Sequence, residues 1–126
     1  MKAILLTGAA LASATAMAAD APNYVQQNDV RIFERADITG DLAITAFGIM
    51  RDTRCTERVI CFREDRLVVA AIVQHRGRDR EFALELGQPV QLDGGVLTLI
   101  STSTPPSDAG AIPLKYYRLN FRWQPD

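Results

Sequence analysis

The sequence predicts an all-β domain, a small antiparallel β-sandwich of about seven strands with one short-loop disulfide. Three observations predict it. Apolar residues recur at every second position in several short runs, the spacing that puts alternate side chains on one face of a strand. Turn-forming residues separate those runs at close intervals: Gly77, Asp93-Gly94 and Pro105-Pro106. Such spacing is typical of sandwiches and barrels. Finally, no stretch beyond the leader keeps a helical period for three turns. A strand of period two buries one face, so two sheets must cover each other.

Each element has its own signal. Residues 30–34 read as a weak first strand. Residues 41–50, DLAITAFGIM, alternate well. Leu42, Ile44 and Ala46 point one way; Ala43, Thr45, Phe47 and Ile49 point the other. Both faces are largely apolar, so this strand is placed centrally. Residues 67–73, LVVAAIV, form a continuous apolar run rich in β-branched side chains, the mark of a buried strand. The chain then turns at Gly77 into residues 81–86, with Phe82, Leu84 and Leu86 inward, giving a hairpin with a basic tip. VQLDGGVLTLI predicts a second hairpin, with Asp93-Gly94 in the positive-φ conformation of a type I′ turn. STPPSDAGAIP is a loop, because two adjacent prolines cannot serve a central strand. Residues 114–123, LKYYRLNFRW, close the domain, with Tyr117, Leu119, Phe121 and Trp123 on one face and Tyr116, Arg118, Asn120 and Arg122 on the other.

The first residues predict export. Lys2 supplies a positive start, residues 3–16 are apolar or small without charge, and Ala16-Met17-Ala18 places small residues at both specificity positions of a signal-peptidase site. Residues 1–18 are therefore read as a signal peptide, with Ala19 as the neighbouring cleavage point, and 19–126 as a single domain. The apolar run is shorter than the roughly 20 residues a spanning helix needs, so no membrane span is expected in the mature chain. The expected location is periplasmic or secreted.

Removal of Lys2 leaves 13 basic side chains against 15 acidic ones, a net charge of −2. That balance argues against a nucleic-acid partner, which wants a net basic surface.

Cys55 and Cys61 are the only 2 cysteines. An exported chain meets an oxidising compartment, where cysteines normally pair. Chain entropy gives such a short loop about 2 kcal/mol of stabilisation. A redox role would prefer C-x-x-C, which is absent. A metal site needs three or four ligands, and the chain has 1 histidine and no third cysteine. Neither a metal nor a cofactor is expected.

The run Asp52-Thr53-Arg54-Cys55, followed by Val59-x-Cys61, resembles a family of small exported bacterial β-proteins, many of them lipoprotein-like. Its members carry a D-S-R-C-P-x-x-V-x-C signature between two strands. They continue with an apolar strand, a hairpin with a D/G turn, a proline-containing loop and a tyrosine-bearing last strand. RLVVAAIV, QLDGGVLTLI, STPPSDAGAIP and KYYRLNF stand in those places here, so the resemblance covers residues 46–123. Thr56 replaces the proline, and FRED (62–65) replaces a tryptophan-alanine-glycine type of sequence. The resemblance implies export and a disulfide, and no particular activity.

Candidate sites are few. His75 lacks a nucleophile-elbow serine such as G-x-S-x-G to serve, and reads as a surface residue. Glu64 and Asp65 are adjacent, so a strand would point them to opposite faces. No catalytic residue is expected. The cysteine loop is the candidate binding loop, with Arg54, Arg58 and Arg63 as its contact residues; the alternatives are that its charges form a salt-bridged, solvated rim, or that Asp52 and Arg54 hydrogen-bond the loop backbone and hold its shape. A disulfide orders such a loop in advance of binding, and arginine presents a planar fork suited to carboxylate or phosphate. Arg76, Arg78 and Arg80 would add to it if the fold brought them near. The expected function is thus an exported, non-catalytic binding or interaction module of the bacterial cell envelope, its partner an envelope protein or an anionic ligand. The alternatives are a small periplasmic hydrolase and a purely structural envelope protein.

Mass spectrometry of the exported protein should find a chain starting at Ala19 or Asp20 with a mass two hydrogens below that of the reduced form. Two titratable free thiols on that material would overturn the pairing.

Overall fold

The computed structural model describes residues 23–56 and 60–126. The proposed leader therefore lies outside the described residues. Eight strands succeed one another: β1 (Val25–Val30), β2 (Arg35–Thr39), β3 (Leu42–Asp52), β4 (Leu67–His75), β5 (Arg78–Glu85), β6 (Pro89–Leu92), β7 (Gly95–Thr102) and β8 (Leu119–Pro125). A single 3-10 turn, Leu114–Tyr116, precedes the last strand. One four-stranded sheet has the order β1-β8-β7-β6 and the other β2-β3-β4-β5. Every neighbouring pair is antiparallel. The two sheets bury one hydrophobic core between them. The predicted antiparallel sandwich is thus the observed fold, with eight strands among the described residues where about seven were expected.

Period two determines the core. Leu67, Val69, Ala71 and Val73 of β4 face Leu97 and Leu99 of β7 and Leu119, Phe121 and Trp123 of β8 in one buried cluster, which Tyr117 joins just before β8. Leu84, Phe82 and Leu86 also pack against it, as their alternation predicted. β3 lies between β2 and β4, the central place its two apolar faces implied.

Four expectations need correction. Of the weak first strand expected over 30–34, Val30 ends β1 and residues 31–34 are the connection to β2, closed by the Glu34 amide donating to the Arg31 carbonyl at 3.2 Å. The real β1, VQQNDV, is mostly polar and exposed. It is a strand because the edge of β8 offers it hydrogen bonds, not because its own pattern calls for one. Ile49 faces the core rather than the opposite side. Phe47 and Met50 are each an extra residue in the ladder with β4, and each such bulge reverses the facing of the residues beyond it. The Asp93-Gly94 turn has positive φ only at Gly94, at +89°, the requirement of a type II turn rather than type I′. Arg76-Gly77 is the turn with positive φ at both central residues, +52° and +77°. Lastly, residues 114–116 form the 3-10 turn and not the start of the closing strand.

Gly95 opens β7 beside the end of β8. A Cβ there would come within 2.6 Å of both the Gln124 carbonyl oxygen and the Trp123 ring. Gly95→Ala should therefore cost about 1–3 kcal/mol by overpacking, measured by urea unfolding. Gly48→Ala, at a position with nothing within 4 Å of the added carbon, is the control and should be near neutral.

Candidate functional site

The cysteine loop leaves the sandwich at the end of β3 and returns at the start of β4. Its base is a buried polar knot. The Asp52 carboxylate accepts two hydrogen bonds from the Arg54 guanidinium, from Nε at 2.9 Å and Nη2 at 3.0 Å. It accepts a third from the Tyr117 hydroxyl at 2.6 Å. Arg54 Nη1 donates onward to the Thr104 carbonyl at 2.7 Å. Thr104 is itself buried, its hydroxyl donating to the Tyr116 carbonyl and accepting from the Arg118 amide. Asp52 and Arg54 belong to the β2-β3-β4-β5 side, while Thr104 and Tyr117 belong to the β7–β8 connection. The knot therefore ties the two sheets together.

Its electrostatics arise from that geometry. Burial pushes the Asp52 carboxyl up, but the hydrogen bonds from Arg54 and Tyr117 outweigh it, and the group sits below the ordinary aspartate value. Burial and the hydrogen bond to the Asp52 carboxylate push the Tyr117 hydroxyl well above the ordinary tyrosine value. Both shifts hold the pair in the charged-acceptor, neutral-donor state.

Above the knot the loop is held by its own backbone and by the Cys55–Cys61 disulfide, whose Cα atoms are 5.8 Å apart. Thr53 bridges the two arms, its amide donating to the Arg66 carbonyl at 2.8 Å and its hydroxyl to the Glu64 carbonyl at 2.5 Å. The Cys55 amide donates to Asp65 at 3.2 Å. Arg63 donates to the carbonyls of Thr53 and Arg54, both at 3.1 Å. Arg51 and Arg66 pair with Glu64, and Arg66 also with Glu85. These exposed pairs form a solvated rim and contribute little each.

The three predicted contact arginines therefore part company. Arg54 is 8% exposed and spends its donors inside the knot, so it is a scaffold residue and not a surface contact. Arg63 is exposed, yet its Nε and Nη2 hold loop carbonyls. Arg58 lies outside the described residues. Arg76, Arg78 and Arg80 do not join this loop. They sit at the other end of β4, and a strand of that length spans about 25 Å. His75 lies at that far end too, its ring edge-on to Trp123 with centroids 5.6 Å apart.

The loop instead presents apolar side chains. Ile60 is 79% exposed and Phe62 93%. They line a shallow groove with the disulfide, Arg63 and Asp108, the last from the proline-containing loop. Sequence reasoning passed over them because it tracked charge. The available signal was the placing of two large apolar residues in a charged loop that belongs to no strand. Tyr116 and Met50 are exposed as well.

No family model matches the chain, and no curated protein or solved structure matches it either. Among the described residues, no helix is long and apolar enough to cross a membrane, and no three His, Cys, Asp or Glu side chains gather as a metal site.

Asp52→Asn leaves Arg54 buried without its counter-charge and should cost about 3–5 kcal/mol. Tyr117→Phe removes one hydrogen bond to a charged acceptor and should cost about 1.5–3 kcal/mol. The Asp52 contribution is full above the unfolded value of 3.8 and is lost as pH falls through the lower folded value. The Tyr117 contribution is full below the unfolded value of 10.0 and is lost as pH rises through the raised one. Urea unfolding across pH should therefore show the gap between wild type and Asp52→Asn closing in acid. A gap that persists unchanged in strong acid would remove the charge from the explanation.

Proposed function

We propose that this chain is an exported, non-catalytic interaction module of the bacterial cell envelope, which engages a protein partner through its cysteine loop. The observation that carries this reading is the exposure of Ile60 and Phe62, at 79% and 93%, on a loop tied down at its base. An apolar side chain left in water costs free energy that contact with a partner recovers, and aromatic anchors are enriched at interfaces. The Asp52–Arg54–Tyr117 knot, the disulfide and the Arg63 bonds hold the loop in shape before any partner arrives. That ordering lowers the entropy cost of association. Function carried on loops above a rigid scaffold is a common arrangement. The leader-like residues 1–18 and the pairing of the two cysteines support the exported setting, as does the resemblance of the cysteine motif to small exported β-proteins.

A crosslinked pull-down from the envelope, with tagged mature protein beside the double variant Ile60→Ser and Phe62→Ser, tests this directly. Both positions are exposed, so the variant should keep its stability within about 0.5 kcal/mol. The expected result is a partner captured by wild type and lost in the variant. The same set of proteins from both, or none from either, would end the reading for this loop.

A further inference from the structure

The far end of the molecule holds a second site with a different chemistry. β5 and β6 are edge strands of the two sheets; β5 lies against the β6–β7 side of the other sheet, and between these strands and β4 lies an open cleft of about 400 Å³. That volume falls in the range of small-molecule sites. Its floor is apolar, formed by Val73, Phe82 and Leu92. Its rim is basic, formed by His75, Arg76, Arg78 and Arg80.

The register explains the clustering. Arg78 stands opposite His75 and Arg80 opposite Val73 in the β4–β5 ladder. Arg78, Arg80 and Phe82 alternate along β5, so all three lie on its core-facing side. Two arginines on one face, two residues apart, stand about 7 Å apart along the strand and can converge on one anionic group. The Arg80 guanidinium lies over the Phe82 ring, 4.9 Å from its centroid, a contact that orients it. Arg76 plays another part. It pairs with Asp93 at 2.6 Å and with Asp41 at 3.5 Å, bracing the β6–β7 turn against the β4–β5 turn. Among the described residues, Arg78 and Arg80 have no carboxylate partner within salt-bridge distance. Asp93, the one carboxylate on the cleft wall, is occupied by Arg76.

We infer that this cleft binds a small organic anion, a carboxylate or phosphate joined to a flat apolar group. Arg78 and Arg80 take the oxygens and the Val73–Phe82–Leu92 floor takes the apolar part. Arginine forks fit planar carboxylate and phosphate oxygens, and a floor without polar groups has nothing else to offer a fully charged ligand. This site is independent of the cysteine loop and of the function proposed for it.

The protein carries its own reporter. Trp123 is the only tryptophan, and it packs against His75 on the cleft wall. Full-length mature protein is titrated with phenyl phosphate, phenylacetate, inorganic phosphate and the uncharged benzyl alcohol, and Trp123 emission is monitored. Phenyl phosphate or phenylacetate should give a saturable change, inorganic phosphate a weaker one and benzyl alcohol none. Arg78→Gln and Arg80→Gln should each weaken the aromatic anion about tenfold or more, the worth of one charge-assisted hydrogen bond, with unchanged circular dichroism. Arg35→Gln, on β2 at the opposite edge of the same sheet, should bind as wild type does. No saturable change with either aromatic anion would overturn the site, and so would equal binding of benzyl alcohol. Arginine variants that bind normally but aggregate would also overturn it, assigning the two charges to protection of the β5 edge alone.

Discussion

The Asp52 carboxylate is the point on which this structure turns. Four donors converge on it, the Arg54 amide, Nε and Nη2 and the Tyr117 hydroxyl. Through Arg54 the knot reaches the Thr104 carbonyl. One side chain thereby joins the end of β3, the first residues of the cysteine loop and the connection that leads into β8. A charge taken out of water is costly and is tolerated only when its lone pairs are satisfied. Here the desolvation is offset by a bidentate fork and a phenol, the arrangement that makes such bonds strong. The knot closes the end of the sandwich where the apolar core gives out.

Everything at that end depends on this closure. Arg54, the residue that sequence reasoning placed at the surface, is drawn inward by Asp52 two positions before it. Among the described residues of the loop, the large apolar side chains left exposed are Ile60 and Phe62. A staple and a buried ion pair thus serve one end: they tie the base of the loop while Ile60 and Phe62 stay in water. At the opposite end the constraint is looser. There Arg76 braces two turns through exposed pairs, and the sheets part enough to leave a basic cleft. Nearly the whole length of β4 separates the two regions, so contact chemistry at one does not require the other.

Much of the fold was legible in the chain because a strand has a fixed period. The inward set Tyr117, Leu119, Phe121 and Trp123 is the observed buried face, although the strand itself begins only at Leu119. In the run from Leu67 to Val73 all but the half-buried Ala70 and Ile72 are buried, close to what its composition required. Period failed where an extra residue entered the ladder. Phe47 and Met50 leave no mark on the alternation of residues 41–50, since Ile49 is apolar whichever way it points. β1 escaped notice for the opposite reason: its own residues are polar, and its conformation comes from the strand beside it.

The candidate site divides along the same line. Cysteine count, spacing and the leader-like composition of residues 1–18 were enough to predict the pairing of Cys55 with Cys61, because those are local features and chemical ones. The fate of each arginine was not local. Arg54 meets a carbonyl 50 residues away and Asp52 a hydroxyl 65 residues away, and a linear pattern does not carry contacts at that range. Arg78 and Arg80 form a cleft only because β6 returns beside β5 to complete it. Side-chain alternation belongs to the chain, since it stems from backbone geometry at each residue. Which charges are buried, paired or left free belongs to the packing of two sheets, since it depends on what the fold places opposite them.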